Sequence, residues 1–306
     1  MIVYLIKRFF QSLIVLLIVV FCAFALLRIA PGSPARMLLP DDATEEQVLN
    51  MEIQLGLHRP LPVQFFDYLT GILKGDLGMS IIYNRPVSSL IAQRIPNTAI
   101  LALCTVVVGC LLAIPLGIVA GTHRGSFIDF FCLLFALLGQ SMSGMWLGIL
   151  LIYGFAVNLG WLPAMGTGGI KYIILPVITM AYPMAAGLTR VARSGMADTM
   201  SEDYITATYA KGISNFQVYT KYAFRNALIP VATMLGLTIA FQLSGAVVTE
   251  NVFGWAGLGS LMSSSVSLRD YPVVQSMLLI SAFVFVIINL LVDIVNSIID
   301  PRLTLY

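Results

Sequence analysis

The residues with ligating or reactive side chains are few, and their spacing excludes more chemistry than it supports. Cys22, Cys104, Cys110 and Cys132 all fall inside apolar runs, and no two stand at a Cys-x-x-Cys spacing. They supply neither a metal cage nor a disulfide framework and read as small apolar packing residues. His58 and His123 lie outside the apolar runs, so no imidazole is available at membrane depth. Met142, Met145, Met180 and Met184 offer soft sulfur, but their apolar settings point to packing. There is no Gly-x-x-x-x-Gly-Lys-Ser/Thr phosphate loop and no Gly-x-Ser-x-Gly turn. Catalytic residues, a metal site and a bound cofactor are accordingly not expected.

A second class of polar residue sits inside the apolar runs: Gln140, Ser141, Ser143, Gln242, Ser244 and Asn289. Polar groups against lipid are costly, so such residues either line a polar pathway or hydrogen-bond neighbouring helices. Both readings stay open for each of them. Glu250, Arg269 and Asp270 are charged groups flanking a Gly- and Ser-rich stretch. They are candidates for an outer gate, paired with one another or meeting a partner.

The elements that carry these residues follow from composition. The chain has 306 residues, 58% hydrophobic and 10% charged, with a net charge of +2. A soluble domain carries about 25% charged residues, so this chain lacks the polar surface to cover itself. The small positive excess gives no case for nucleic acid. A helical crossing needs about 20 apolar residues, and six runs qualify: 9–29, 98–121, 127–157, 172–191, 228–249 and 273–295. The third is long enough to tilt, or to break near Gly139 to Gly144. The first follows Lys7 and Arg8 but is longer than the 7–15 apolar residues of a cleavable signal, and reads as a retained span. The expected fold is an all-α integral membrane protein, a single domain over 1–306, with a small outer-face cap built from 30–95 between the first two spans.

Lys and Arg in the short loops set orientation. Lys7, Arg8, Arg124, Arg193, Lys211, Lys221, Arg225 and Arg302 fall on one side, with Arg190 at the edge of the fourth run, whereas the opposite short loops hold Lys171 and Arg269. Both termini are therefore expected in the cytoplasm, which an even number of spans requires.

On that cytoplasmic side, 194–227 has an internal pattern. Thr199-Met-Ser-Glu202 and Ser214-Asn-Phe-Gln217 both have capping-box spacing, so each is expected to open a helix. Gly212 is placed to end the first, since glycine suits the left-handed position after a helix. A protruding helix–glycine–helix element results, with Ala207 and Ala210 small enough to let another protein approach.

Asp203-Tyr204-Ile-Thr-Ala207-Thr-Tyr-Ala210-Lys-Gly212, followed by Arg225-Asn226-Ala227-Leu228-Ile229-Pro230, resembles the "EAA" loop of ABC-importer permeases. The likeness narrows to the first permease subunit of dipeptide, oligopeptide, glutathione and nickel importers. It runs along nearly the whole chain through Gly75-Asp76-Leu77-Gly78-x-Ser80, Gly160-Trp161-Leu162-Pro163, Glu250-Asn-Val252-Phe253-x-Trp255-Ala256-Gly257-Leu258-Gly259 and Arg269-Asp270-Tyr271-Pro272. Two departures stand out: Ser33 replaces the family's usual acidic residue and Ala256 its usual proline. The resemblance implies six helices of the type I importer permease architecture in a bacterial inner membrane. It implies docking of the Glu202, Ala207, Ala210, Lys211 and Gly212 element on a cytoplasmic ATPase. The partners it implies are a homologous second permease, two ABC ATPases that use ATP and Mg, and an extracytoplasmic substrate-binding protein. Peptides are the favoured cargo, with a nickel or metal-chelate importer as the alternative.

Two other classes fit less well. A secondary transporter would want ionisable groups near the bilayer centre, often within inverted repeats; the runs hold none centrally, and no repeat is visible. An intramembrane protease would want a nucleophile with its base.

Overall fold

The computed structural model describes residues 2–29, 34–37, 39–40, 42–54, 56–243 and 246–299. These residues form helices and turns, with one isolated antiparallel bridge between Met79 and Pro86 and no strand. Helix α1 (Ile2–Ile29) is followed by three shorter helices, α2 (Pro34–Met37), α3 (Glu45–Gln54) and α4 (Leu61–Leu73). Helix α4 lies against α1 through aromatic edges, with Phe65 5.2 Å from Phe24 and 5.5 Å from Phe21 between ring centroids. The Gln64 side chain fixes the entry to α4 by donating to the carbonyls of Leu57 and Arg59.

Helix α5 (Val87–Thr122) has 36 residues, about 54 Å at 1.5 Å per residue and so longer than a bilayer core of about 30 Å. Its outer turns therefore project beyond the apolar run, where Val87 and Ile91 pack with Leu258, Leu261, Val273 and Met277. The expected break in the third run is present. Helix α6 (Phe127–Ser141) stops at Met142 and Ser143, and α7 (Gly144–Leu151) with a π-helical continuation (Ile152–Asn158) departs at 98°.

The central rod is α8 (Ile170–Met200), packed between α5, α6 and the later α11 (Phe224–Leu243). It extends past the expected end at 191 because Ala192, Met196 and Thr199 continue a buried face beyond the apolar run. Thr199 is thus a buried residue in the last turn of α8, and no capping box forms with Glu202. The Glu202 N–H donates instead to the Thr199 carbonyl at 3.1 Å, and α9 (Asp203–Ala210) starts without a side-chain cap. Helix α10 (Asn215–Gln217) does begin after Ser214, again without a side-chain cap, and runs through a π-helical stretch (Val218–Ala223) into α11.

The run expected at 228–249 is divided. Helix α11 ends at Leu243, and α12 (Val247–Val252) and α13 (Leu258–Ser267) form a separate hairpin before α14 (Tyr271–Ile299). By length and composition four of these helical stretches can cross a membrane, α5, α8, α10 with α11, and α14, or five if the bent α6–α7 pair is one span. In α1 the apolar stretch among described side chains is Leu13–Ala25.

Close approach of α5 to α8 rests on buried small residues four apart, Gly109, Ala113, Gly117 and Gly121. Lipid gives helices no hydrophobic drive to associate, so backbone proximity and van der Waals contact hold such a pair.

Candidate functional site

The element formed by α9, α10 and the π-helical stretch has its own core. Met196 of α8, Ile205 of α9, Val218, Ala223 and Ala227 are buried together, with Ile118, Tyr219 and Phe224 packed around them. Tyr204 ties the two arms: its hydroxyl accepts from Asn226 Nδ2 at 2.7 Å and donates to the Tyr222 carbonyl at 3.4 Å. Burial pushes the Tyr204 phenol up, with the Asn226 hydrogen bond opposing; burial likewise raises Tyr209. Gly212 has φ +73, a conformation costly for residues with a Cβ, and its N–H closes the turn on the Tyr209 carbonyl at 2.9 Å. Ala207, Ala210 and Lys211 share one exposed face of α9 by their spacing; Gly212 follows, and Glu202 stands exposed at the opposite end. Phe216 is 75% exposed beside them. This corner thus exposes small and apolar groups.

At the other end of the molecule, Glu250 is fully buried. Its carboxylate accepts from Thr98 Oγ1 at 2.9 Å and from the Ser260 N–H at 2.8 Å, while the Leu258 N–H donates to Thr98 Oγ1 at 2.8 Å. Asn97 Nδ2 donates to the Ala256 carbonyl, and Trp255 Nε1 to the Asn97 carbonyl. The α12–α13 hairpin is therefore clipped to α5. Asp270, also fully buried, accepts from Ser80 Oγ and from the N–H groups of Ile81 and Ile82. Arg269 is exposed with φ +53. Among the described residues no ion pair joins Glu250, Arg269 and Asp270: the two acids are tied to outer-loop and hairpin groups instead.

The polar residues of the apolar runs separate into groups. Gln140 and Gln242 line one cleft of about 630 Å³ between α6, α8, α11 and α12. Gln242 Nε2 donates to Met184 Sδ at 3.4 Å, and its Oε1 is buried with no hydrogen-bond partner. Arg190 Nη1 donates to Gln140 Oε1. Ser141 and Ser143 are exposed at the α6–α7 break, away from that cleft's lining. Asn289 donates to the carbonyl of Phe285 in its own helix and lines a different groove, with Gln11 and Asp293. Ser244 lies outside the described residues, as does Ser33.

One charged pair escaped the reading of the sequence. Asp129, 3% exposed, takes a two-pronged hydrogen bond from Arg193, with Nη2 to Oδ2 at 2.7 Å. Asp129 Oδ2 also accepts from the Gly125 N–H, and the Asp129 N–H donates to Ser126 Oγ. The Ser126-x-x-Asp129 spacing before an apolar run is the local signal that marks this cap.

Comparison with known proteins agrees with this geometry. Residues 113–305 match the family model described as "Binding-protein-dependent transport system inner membrane component", and residues 1–102 match the N-terminal model of the same description. The glutathione transport system permease protein GsiC of Salmonella typhimurium is 39% identical over 300 residues, covering 98% of each chain. A probable peptide ABC transporter permease protein, y4tP of Sinorhizobium fredii, is 36% identical over 309 residues, covering 98% of this chain and 99% of its own. Among solved structures, the inward-facing MetNI methionine ABC transporter superposes with a TM-score of 0.58 at 15% identity, over 69% of this chain and 97% of the other, which shows a shared fold. An all-helical chain with several membrane-length apolar helices and two matching family models that together span most of its length belongs to the binding-protein-dependent transport system inner membrane components, the permease subunits of ABC importers.

Proposed function

We propose that this chain forms one half of the pore of an importer for peptides, handed over by an extracytoplasmic binding protein and driven by two ABC ATPases. A homologous second permease supplies the other half. Six crossings are inferred, from α1, α5, α6 with α7, α8, α10 with α11, and α14. The Lys and Arg distribution supports a cytoplasmic location for both termini and α9–α10 in a bacterial cell. ATP and Mg serve the partners; the chain carries no phosphate loop. The glutathione and peptide permeases among its relatives support peptides over nickel chelates.

The observation that carries this reading is the exposed corner of α9 and Gly212 on a buried core shared with α8. A docked ATPase would push on that corner, and its core would pass the movement to α8. Glu202 and Lys211 are surface contacts in this scheme, Gln140 and Gln242 belong to the pathway, and the Glu250 and Asp270 clips frame an outer gate. The test is Gly212→Pro in the reconstituted transporter. Membrane insertion should persist and peptide uptake should stop; uptake at the wild-type level with normal expression refutes the coupling role.

A further inference from the structure

Arg190 is exposed on α8, one helical turn from Gly187, which lines the 630 Å³ cleft. A guanidinium on a membrane helix is costly against lipid and faces a water-filled cavity or a polar partner. Its guanidinium donates to a neutral partner, Gln140 Oε1, and among the described residues it makes no ion pair. Gly187 makes room for this pair, since a Cβ there would stand 3.3 Å from Gln140 Nε2. Among the residues that line the cleft, Gln242 is 5% exposed and its Oε1 has no donor. A buried carbonyl oxygen without a partner is destabilising, and a donor arriving with a ligand would relieve it. The lining also includes Met142, Met180, Met184 and Met234. Thioether side chains are flexible and polarisable, and accommodate varied shapes.

Cationic donor, neutral acceptor and adaptable apolar wall together match a ligand with a free carboxylate, an amide N–H and variable side chains. We propose that this cleft is a transit subsite for the backbone of a short peptide, with Arg190 taking the carboxylate and Gln242 Oε1 accepting a backbone N–H. The proposal rests on the import reading above and adds the recognising groups. Arg190 follows Met184, the residue beside Gln242, by six positions, about 9 Å along a helix rising 1.5 Å per residue. An extended chain covers that distance in about three residues at 3.3–3.6 Å each. The cleft volume falls within the roughly 300–1,000 Å³ of small-molecule sites. A bare divalent cation fits poorly, because the described lining holds no carboxylate, imidazole or thiol.

The test uses the full transporter in proteoliposomes with its binding protein, offered a library of di- to pentapeptides, glutathione and NiCl2, with uptake read by mass spectrometry. Arg190→Gln and Gln242→Leu should each lower peptide uptake about tenfold, as loss of one hydrogen bond to a charged or buried group predicts. The amount of assembled transporter and its thermal midpoint should stay at the wild-type values, and Arg190→Lys should recover part of the uptake. A loss of assembled transporter or of midpoint that accounts for the fall in uptake assigns these residues a structural role and overturns the proposal. So does wild-type uptake in either variant, which leaves the import reading standing; wild-type import of Ni2+ without peptides overturns both this proposal and the choice of peptides as cargo. No uptake of any probe by the wild type removes the import reading itself.

Discussion

Replacing Gly121 by alanine tests the way this bundle is held together. Gly121 lies at the inner end of the small-residue stripe of α5, facing the turn of α8 that carries Arg193 and Met196. A Cβ added there would stand 2.5 Å from Met196 Cβ and 2.9 Å from the Arg193 carbonyl oxygen. Ordinary contact begins at 3.4 Å, so the two backbones must separate by about 1 Å, because neither obstacle is the free end of a flexible side chain. Forcing one methyl into a packed interior costs about 1–3 kcal/mol. The same shift pulls Met196 from its place in the core beneath α9 and strains the Arg193–Asp129 pair. The thermal midpoint of the detergent-purified protein, followed by fluorescence-detected size exclusion, should therefore fall. Gly154→Ala is the control: a Cβ there meets nothing within 4 Å, and the midpoint should hold. Equal midpoints for Gly121→Ala and wild type, or an equal fall in the control, would refute the argument that backbone proximity of α5 and α8 holds the bundle.

Three other perturbations follow from the buried polar contacts. Asp129→Ala and Arg193→Ala should each destabilise by about 3–5 kcal/mol, because each strands the other member of a largely buried pair; the double variant should cost clearly less than the sum, as measured in a double-mutant cycle of denaturation midpoints. Glu250→Ala removes the acceptor for Thr98 Oγ1 and the Ser260 N–H, a loss of about 1–3 kcal/mol per stranded donor, and should raise hydrogen exchange in α13 while leaving α9 protected. Asp270→Ala frees Ser80, Ile81 and Ile82; exchange at 79–83 should rise, and an unchanged pattern would mean that the Asp270 clip does not order this loop.

The spans were legible where run length alone decides them, as in α5 and α14. The break after Ser141 was also legible, because Gly139 to Gly144 interrupts an otherwise overlong run; its 98° angle was not, since no local pattern encodes where α7 will find a packing partner. Hydropathy ended α8 too early. Its last turns are buried by protein rather than lipid, and Ala192, Met196 and Thr199 keep the helical period after the apolar run has finished. The same burial explains why Thr199, with the right spacing for a cap, is an interior helix residue. The outer acids show the limit most clearly. Glu250 and Thr98 are 152 positions apart, and Asp270 and Ser80 are 190 apart. A single sequence offers their charge but not their partners, so a mutual gate pairing was as reasonable as the clips observed. The Gly117-x-x-x-Gly121 spacing stands in the sequence, yet which helix it would face does not.

Helix α8 connects the features that matter. Met184 and Gly187 line the cleft, Arg190 reaches Gln140, Arg193 grips Asp129, and Met196 sits in the core beneath α9. The inner half of this helix is clamped twice, to α5 by the glycine stripe and to α6 by the ion pair. In the importer proposed above, motion delivered through the α9 core would not be absorbed by a local slip of α8 and would carry α5, α6 and α8 together. The structure offers a different place for that motion to be taken up. At Met142 and Ser143 the chain leaves helical geometry, Ser143 makes no side-chain cap, and α7 turns away to pack on Val252 and Phe253 of the outer hairpin. A short non-helical joint between two packed bodies is where a hinge absorbs backbone change. Since Gln140 and Met142 also line the cleft, bending at this joint would alter the cleft itself, so in the proposed scheme force entering at the α9 corner would be felt where a transiting solute would rest.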